Sequence, residues 1–211
     1  MTLEIIAQII LFGIALAMDA FAVSIVDGLT YVDINKKKAF FIAITFGVMQ
    51  ALMPLIGYWA LAAVKSAVGV ERSVEVAHTM STVVTWVSFG LLVLIGGKMI
   101  IEAIIELRKP VEEKEPTKFS IKEVLLMGVA TAIDAFAVGI SLQAGLSDNV
   151  TIWLHVSIIM VITFGISLLG VFAGHFFEKL FKGHYEISSI VGGTILILLA
   201  VWIVLSHYLG I

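Results

Sequence analysis

Six stretches of this chain are too long and too apolar to belong to a water-soluble domain. Residues 39–64, 76–97, 149–177 and 187–211 contain no Asp, Glu, Lys or Arg, and residues 5–26 and 124–147 contain one each, Asp19 and Asp134. About 20 apolar residues in a helix cross the roughly 30 Å of bilayer hydrocarbon, and each stretch reaches that length. Strands do not fit. Membrane barrels are built from roughly 10-residue segments that alternate apolar with polar, and these stretches are apolar all round. Every backbone N–H and C=O must be satisfied inside lipid, which leaves helices. The expected fold class is therefore an all-α integral membrane protein. Its six transmembrane helices are placed near 5–26, 38–64, 79–105, 122–146, 150–178 and 187–208.

Composition agrees, with 60% hydrophobic and 14% charged residues. The net charge of -3 gives no reason to expect a nucleic-acid partner, and the absence of cysteine excludes disulfides and thiolate metal sites. No cleavable signal peptide is expected, because the first apolar run lacks a basic lead and continues past Asp19 at full spanning length. The long charged connection is 107–121, with Pro110, Pro116 and charges of both signs. Basic residues set the orientation. Lys36, Lys37, Lys38, Arg108, Lys109, Lys114, Lys118, Lys122, Lys179 and Lys182 fall on one side, against Lys65 and Arg72 on the other. The ten-to-two bias predicts that the first side is cytoplasmic and both termini lie outside.

The two halves resemble each other. Phe12–Ile25 reads FGIALAMDAFAVSI and Met127–Ile140 reads MGVATAIDAFAVGI. From Gly13 and Gly128 onward nine of thirteen positions are identical, with Asp19 opposite Asp134. Thr45-Phe46-Gly47 matches Thr163-Phe164-Gly165, and Gly96-Gly97 matches Gly192-Gly193, in the same order. Three helices per repeat is an odd number, so the second half enters the membrane the other way. The expected organisation is two inverted three-helix repeats, 1–106 and 122–211, joined by a cytoplasmic charged linker at 107–121. Inverted repeats are the architecture of many secondary transporters, whose substrate sites lie near mid-membrane where the halves meet.

An aspartate at the centre of a spanning helix costs about 2.5–3.5 kcal/mol on the insertion scale, so such residues mark function by default. The bland alternative is a protonated Asp hydrogen-bonded to a neighbouring helix. Related by a two-fold axis, Asp19 and Asp134 would face each other. Two carboxylates in a low-dielectric site repel unless a proton or cation neutralises them, and a divalent cation balances two charges. Oxygen ligands suit Mg, Ca and Mn, and soft thiolates are absent. Small residues flank both acids (Ala15, Ala20, Ala22 and Ser24; Ala130, Ala135, Ala137 and Gly139), which would let helices 1 and 4 approach closely. Thr131, Val138 and Ser141 share a face with Asp134. Gln50, beside the kink expected at Pro54, offers an amide oxygen as a third ligand, or else an interhelical hydrogen bond. Asp27 reads as an interfacial mouth residue. Lys98 and Glu102 read as a structural i,i+4 pair. Most histidines fall near helix ends with no convincing ligand spacing. Trp59, Trp86, Trp153 and Trp202 read as interface anchors.

LAMDAFAVSI at 16–25 and ATAIDAFAVGISL at 130–142 resemble the twin signatures of the MntP family of manganese efflux pumps. TFGVMQALMPLIGYW at 45–59 and IGGKMIIEA at 95–103 resemble its second and third helices. The resemblance covers essentially the whole chain. It implies export of Mn²⁺ from the cytoplasm across the inner (plasma) membrane of a bacterium or archaeon, with Asp19 and Asp134 as the essential acids. Mn²⁺ is then cargo, and no resident cofactor is expected. Some relatives resemble this chain but carry Glu or His where it has Gln50. The expected partners are Mn²⁺, protons and the lipid bilayer, with a homo-oligomer left open. No G-x-x-x-x-G-K-[ST] motif is present, so ATP hydrolysis is not expected and the chain is not expected to be an enzyme. Two alternatives stand beside this reading. One changes the cargo to Fe²⁺, Cd²⁺ or a small organic cation. The other is an intramembrane aspartyl protease, which two membrane acids could support in principle but whose Tyr-Asp and Gly-x-Gly-Asp pattern is missing around Met18-Asp19-Ala20 and Ile133-Asp134-Ala135.

Overall fold

The computed structural model describes residues 3–31, 34–108, 118–145, 149–180 and 185–209. They form six α-helices: α1 (Leu3–Thr30), α2 (Lys36–Val68), α3 (Val70–Leu107), α4 (Ile121–Gly145), α5 (Asn149–Leu180) and α6 (Tyr185–Leu209). All six are long and apolar enough to cross a membrane, and no strand occurs among the described residues. Of the connection expected at 107–121, residues 109–117 lie outside the described residues, as do Lys109, Lys114, Lys182 and His184.

Local chemistry explains the helix ends. Asn35 caps α2, its Oδ1 accepting from the N–H groups of Lys37 and Lys38, both at 3.0 Å. Ser120 plays the same part at α4, where its Oγ accepts from the Glu123 N–H at 3.4 Å. The loop expected at 65–78 is absent. α2 runs to Val68, α3 starts at Val70, and the chain turns on Gly69 at φ 82°. Hydropathy delimits only the stretch that must sit in lipid, so it missed the polar turns at the start of α3, which continue the helix beyond the apolar part. The left-handed φ explains why a glycine stands at the turn. Gly69→Ala should cost about 1 kcal/mol and lower the melting temperature measurably, although a Cβ there meets nothing within 4 Å.

The outer surface is apolar. Leu11, Leu94, Val161, Leu169, Phe176 and Leu198 are each more than 60% exposed, a distribution untenable in water and ordinary against lipid. Trp59, Trp86, Trp153 and Trp202 are also exposed. Inside, one apolar cluster draws on all six helices, among them Val23, Ile42, Phe46, Leu92, Val124, Val171 and Leu196.

Helix pairing departs from expectation. α1 packs chiefly on α5 and α4 chiefly on α2, while α3 packs on α6 and α2 on α5. α1 and α4 touch over a short length only. Of the small residues expected to draw α1 onto α4, Gly139 packs on α2 and Ser24 on Gly170 of α5, while Ala135 shares a cluster with Leu16 of α1. A Cβ on Gly28 would strike the α5 backbone at Val171 and Gly174, and one on Gly139 would strike the α2 backbone at Pro54. Gly96 and Gly193 meet backbone to backbone across the α3–α6 contact. Small side chains announce close packing without naming the partner.

Candidate functional site: an acid pair between α1 and α4

α1 and α4 meet at the two aspartates. The carboxyl groups of Asp19 and Asp134 come within hydrogen-bonding range of each other. The alanines beside them along each helix, Ala17, Ala20, Ala132 and Ala135, are fully buried. The aspartates themselves are only partly buried, so the pair borders accessible space instead of being packed over. Leu16, Ala135 and Ile159, with Met53 and Val138, make the apolar wall around it. Two negative charges in such surroundings are tolerable only with a proton or cation between them.

Gln50 of α2 is buried beside the pair, and its Nε2 donates to the carbonyl of Leu16 at 2.8 Å. The interhelical hydrogen bond considered from sequence therefore exists. It fixes the side chain one helical turn before Asp19 and uses the amide nitrogen, leaving the amide oxygen its acceptor capacity. Asp134 Oδ1 accepts from the Ala135 N–H at 2.8 Å, which holds that carboxyl in place. Thr131 is buried, and its hydroxyl donates to the Met127 carbonyl at 2.8 Å. Ser88 of α3 donates to the Ala130 carbonyl at 2.7 Å, pinning α3 to the turn of α4 before the acid. Ser141 lies on the exposed side of α4 and donates to Ala137. Among the described residues no group of three or more His, Cys, Asp or Glu converges, so any cation held here relies on two acids plus neutral oxygens.

A cavity of about 550 Å³, lined by Glu75, Thr79, Met80, Val83 and Phe136, lies between the first half of α3 and α4. Phe136 is two positions from Asp134 and so faces the opposite side of its helix. The cavity is separate from the acid pair.

At the basic end of the bundle a network joins three helices. Lys98 of α3 pairs with Glu123 of α4 at 2.5 Å, and Tyr31 beyond the end of α1 donates to the other Glu123 oxygen at 3.1 Å. The expected Lys98–Glu102 pair is present but longer, 3.7 Å. Glu123 was not singled out from the sequence, since a Glu in a first helical turn looks like a cap. Burial, then the neighbouring Asp27 and Glu123 carboxyls, push the Tyr31 phenol well above its ordinary value, so it remains a protonated donor. Phe119 packs edge-on against Tyr31 at 5.3 Å, with Lys38 over its ring at 5.2 Å.

Asp27 is the clearest departure from expectation. It is no mouth residue: it is completely buried, and neither carboxyl oxygen has a hydrogen-bond partner. α1 continues to Thr30, and the glycines of α5 and α6 let those helices close around it.

These features define a six-helix integral membrane protein with a pair of partly buried carboxyl groups between α1 and α4. A family model described as "Putative manganese efflux pump" matches residues 33–204. Proteins named "Putative manganese efflux pump MntP" are 36% identical in Methanothermobacter thermautotrophicus, over 95% of this chain and 96% of the relative. In Methanosphaera stadtmanae the identity is 39%, over 94% and 98%, and in Clostridium perfringens 38%, over 96% and 95%. The chain belongs to the MntP family. That family is one of transporters and not of enzymes, which sets the protease alternative aside. No solved structure matches the chain.

Proposed function

We propose that this protein exports Mn²⁺ from the cytoplasm of a prokaryote by proton-coupled alternating access, with Asp19 and Asp134 gripping the ion. The meeting of the two carboxyl groups carries the reading. Two negative charges match one dication, and carboxylate and amide oxygens suit Mn²⁺ better than soft metals. Gln50 supplies the third protein oxygen in this account. The names of the relatives support manganese as the cargo. Fe²⁺ has overlapping ligand preferences and is the principal competitor, followed by Cd²⁺.

The chain works as two inverted repeats, 1–106 and 122–211, joined by a cytoplasmic linker at 107–121, with both termini outside. The repeated sequence around the acids supports this. So does the packing, because α1 on α5 and α2 on α4 are the same relation with the halves exchanged. Mn²⁺ enters from the basic face, the repeats rock, and the ion leaves outward. Protons then take its place, since two bare carboxylates are costly to carry back through the membrane.

The test is metal uptake into inverted vesicles loaded with purified protein, compared across Mn²⁺, Fe²⁺, Zn²⁺ and Cd²⁺ with and without a pH gradient. Mn²⁺ uptake that the gradient accelerates is expected. Equal uptake of all four metals, or none, would remove the proposal. Gln50→Leu keeps the side chain's bulk but loses the amide oxygen and the Leu16 bond. It should weaken Mn²⁺ binding about tenfold and destabilise the fold by about 1 kcal/mol, read by Mn²⁺ titration and thermal melting.

A further inference from the structure

A second group of buried oxygens lies two helical turns from the acid pair. Asp27 is eight residues after Asp19, about 12 Å along α1. Its carboxyl oxygens are both buried and unpartnered, and so are the hydroxyls of Ser24 and Thr30, one turn before and one turn after it. Ser24 packs against α5 at Gly170, and Thr30 lies beside Gly192 of α6. Asp27 sits between these two directions on one helical face, so it points into the bundle. Exposed Leu11, Ile14 and Met18 mark the opposite, lipid side of α1.

Three polar side chains that face inward and bond to nothing are a costly arrangement, since each forfeits the bonds it made in water. The cost is explained if something binds there. Charge decides what. Glu123 of α4 is already matched by Lys98 at 2.5 Å and by the Tyr31 phenol. Asp27 therefore offers one uncompensated negative charge, framed by neutral hard oxygens. A dication would leave that site with a net positive charge in a low-dielectric interior, whereas a monovalent cation balances it. We propose that Asp27, flanked by the hydroxyls of Ser24 and Thr30, is a binding site for a single positive charge, a proton or Na⁺, separate from the Asp19–Asp134 pair. When a proton binds, an O–H bond forms on one Asp27 carboxyl oxygen and the carboxyl becomes neutral. When Na⁺ binds, the Asp27 carboxylate coordinates it together with one of the two hydroxyls, since Ser24 and Thr30 stand about 9 Å apart along α1. The other titratable groups on the elements packed here are Tyr31 on the same segment, His175 and Glu178 of α5, Glu186 of α6, and Glu123 of α4 with Lys98 of α3.

The site has no counterpart in the second repeat, where Leu142 stands opposite Asp27 in the alignment that pairs Asp19 with Asp134. It would couple the export cycle to a cation gradient through one half of the bundle. That role rests on the export reading, but occupancy of the site does not.

The test uses purified full-length protein in two arms. Thermal melting in NaCl against choline chloride at equal ionic strength reads Na⁺. Infrared difference spectra across a pH titration read a protonated carboxyl at Asp27, counted as the band that persists when Asp19→Asn and Asp134→Asn remove the pair's own. At least one signal is expected in the wild type, a saturable Na⁺-specific stabilisation or a carboxyl band. Asp27→Asn should reduce it at least tenfold, Asp19→Asn should retain it, and one of Ser24→Ala and Thr30→Val should weaken the affinity behind it several-fold. Absence of both signals in the wild type, or their survival in Asp27→Asn, overturns the proposal. If Asp27→Asn fails to fold, Thr30→Val and Ser24→Ala carry the test, and unchanged affinity in both overturns it. In proteoliposomes Asp27→Asn should still bind Mn²⁺ but lose at least tenfold of the acceleration that a pH or Na⁺ gradient gives to Mn²⁺ flux. A wild type that neither binds nor moves Mn²⁺ defeats the export reading alone, since the melting and infrared signals do not depend on it.

Discussion

Asp19→Ala and Asp134→Ala should each abolish manganese resistance in cells that depend on this protein, while leaving it folded in the membrane. The two carboxyl groups stand within hydrogen-bonding range of each other, so each is the other's chief electrostatic neighbour. Removing one leaves a dication facing a single charge, with an uncompensated positive charge in the bilayer interior. Breaking a buried charge pair costs about 3–5 kcal/mol, which is more than a hundredfold in affinity. Folding should not suffer to match, because a spanning helix loses an expensive residue and gains a cheap one. Growth at graded manganese concentrations, with quantified membrane protein, checks both halves. Wild-type resistance in either variant contradicts the expectation.

Gly139→Val should have the opposite profile, losing the protein before any question of transport arises. A single Cβ at Gly139 already collides with the carbonyl, carbonyl carbon and Cα of Pro54 on α2. Three residues earlier on α4, Gly57 of α2 meets the Phe136 carbonyl in the same way. The atoms in the way are backbone, which cannot rotate aside. Overpacking by a few methyl groups typically costs 1–3 kcal/mol, and a forced separation of two helices exceeds that range. Size-exclusion profiles and thermal melting should show little folded protein. Gly90→Ala is the control. A Cβ there meets nothing within 4 Å, and alanine in a helix interior gains about 0.5–1 kcal/mol over glycine. A Gly139→Val protein as stable as wild type would mean that α2 and α4 do not pack as described.

What the amino-acid order revealed followed from the strength of the physics behind each signal. Lipid tolerates no unsatisfied backbone, so 20-residue apolar runs compel helices and all six were legible. The acid pair was legible because charge at mid-membrane is rare and because it recurs in a repeated motif. Gly69 was not recognised as a one-residue turn, since hydropathy is blind to a helix that continues outside the apolar layer. Helix partners were not readable either. Gly28, Gly57, Gly139 and Gly170 signal close approach, but a glycine carries no information about which backbone will approach it. Asp27 was misjudged for a related reason. Its position near the end of an apolar run suggests the interface, and only the packing of α5 and α6 decides that it is sealed. The Lys98–Glu123–Tyr31 network spans three helices, and no spacing rule along one helix could have joined them.

The decisive measurement is a Mn²⁺ titration of purified protein followed by electron paramagnetic resonance, where free Mn²⁺ gives the sharp signal and bound Mn²⁺ does not. The wild type should take up one tightly held ion per chain, and Asp19→Asn and Asp134→Asn, though folded, should each leave that ion free. The whole account comes down to two acid side chains on different helices sharing one metal. If both variants still sequester a full equivalent with wild-type affinity, the ion sits somewhere else and the central claim is wrong.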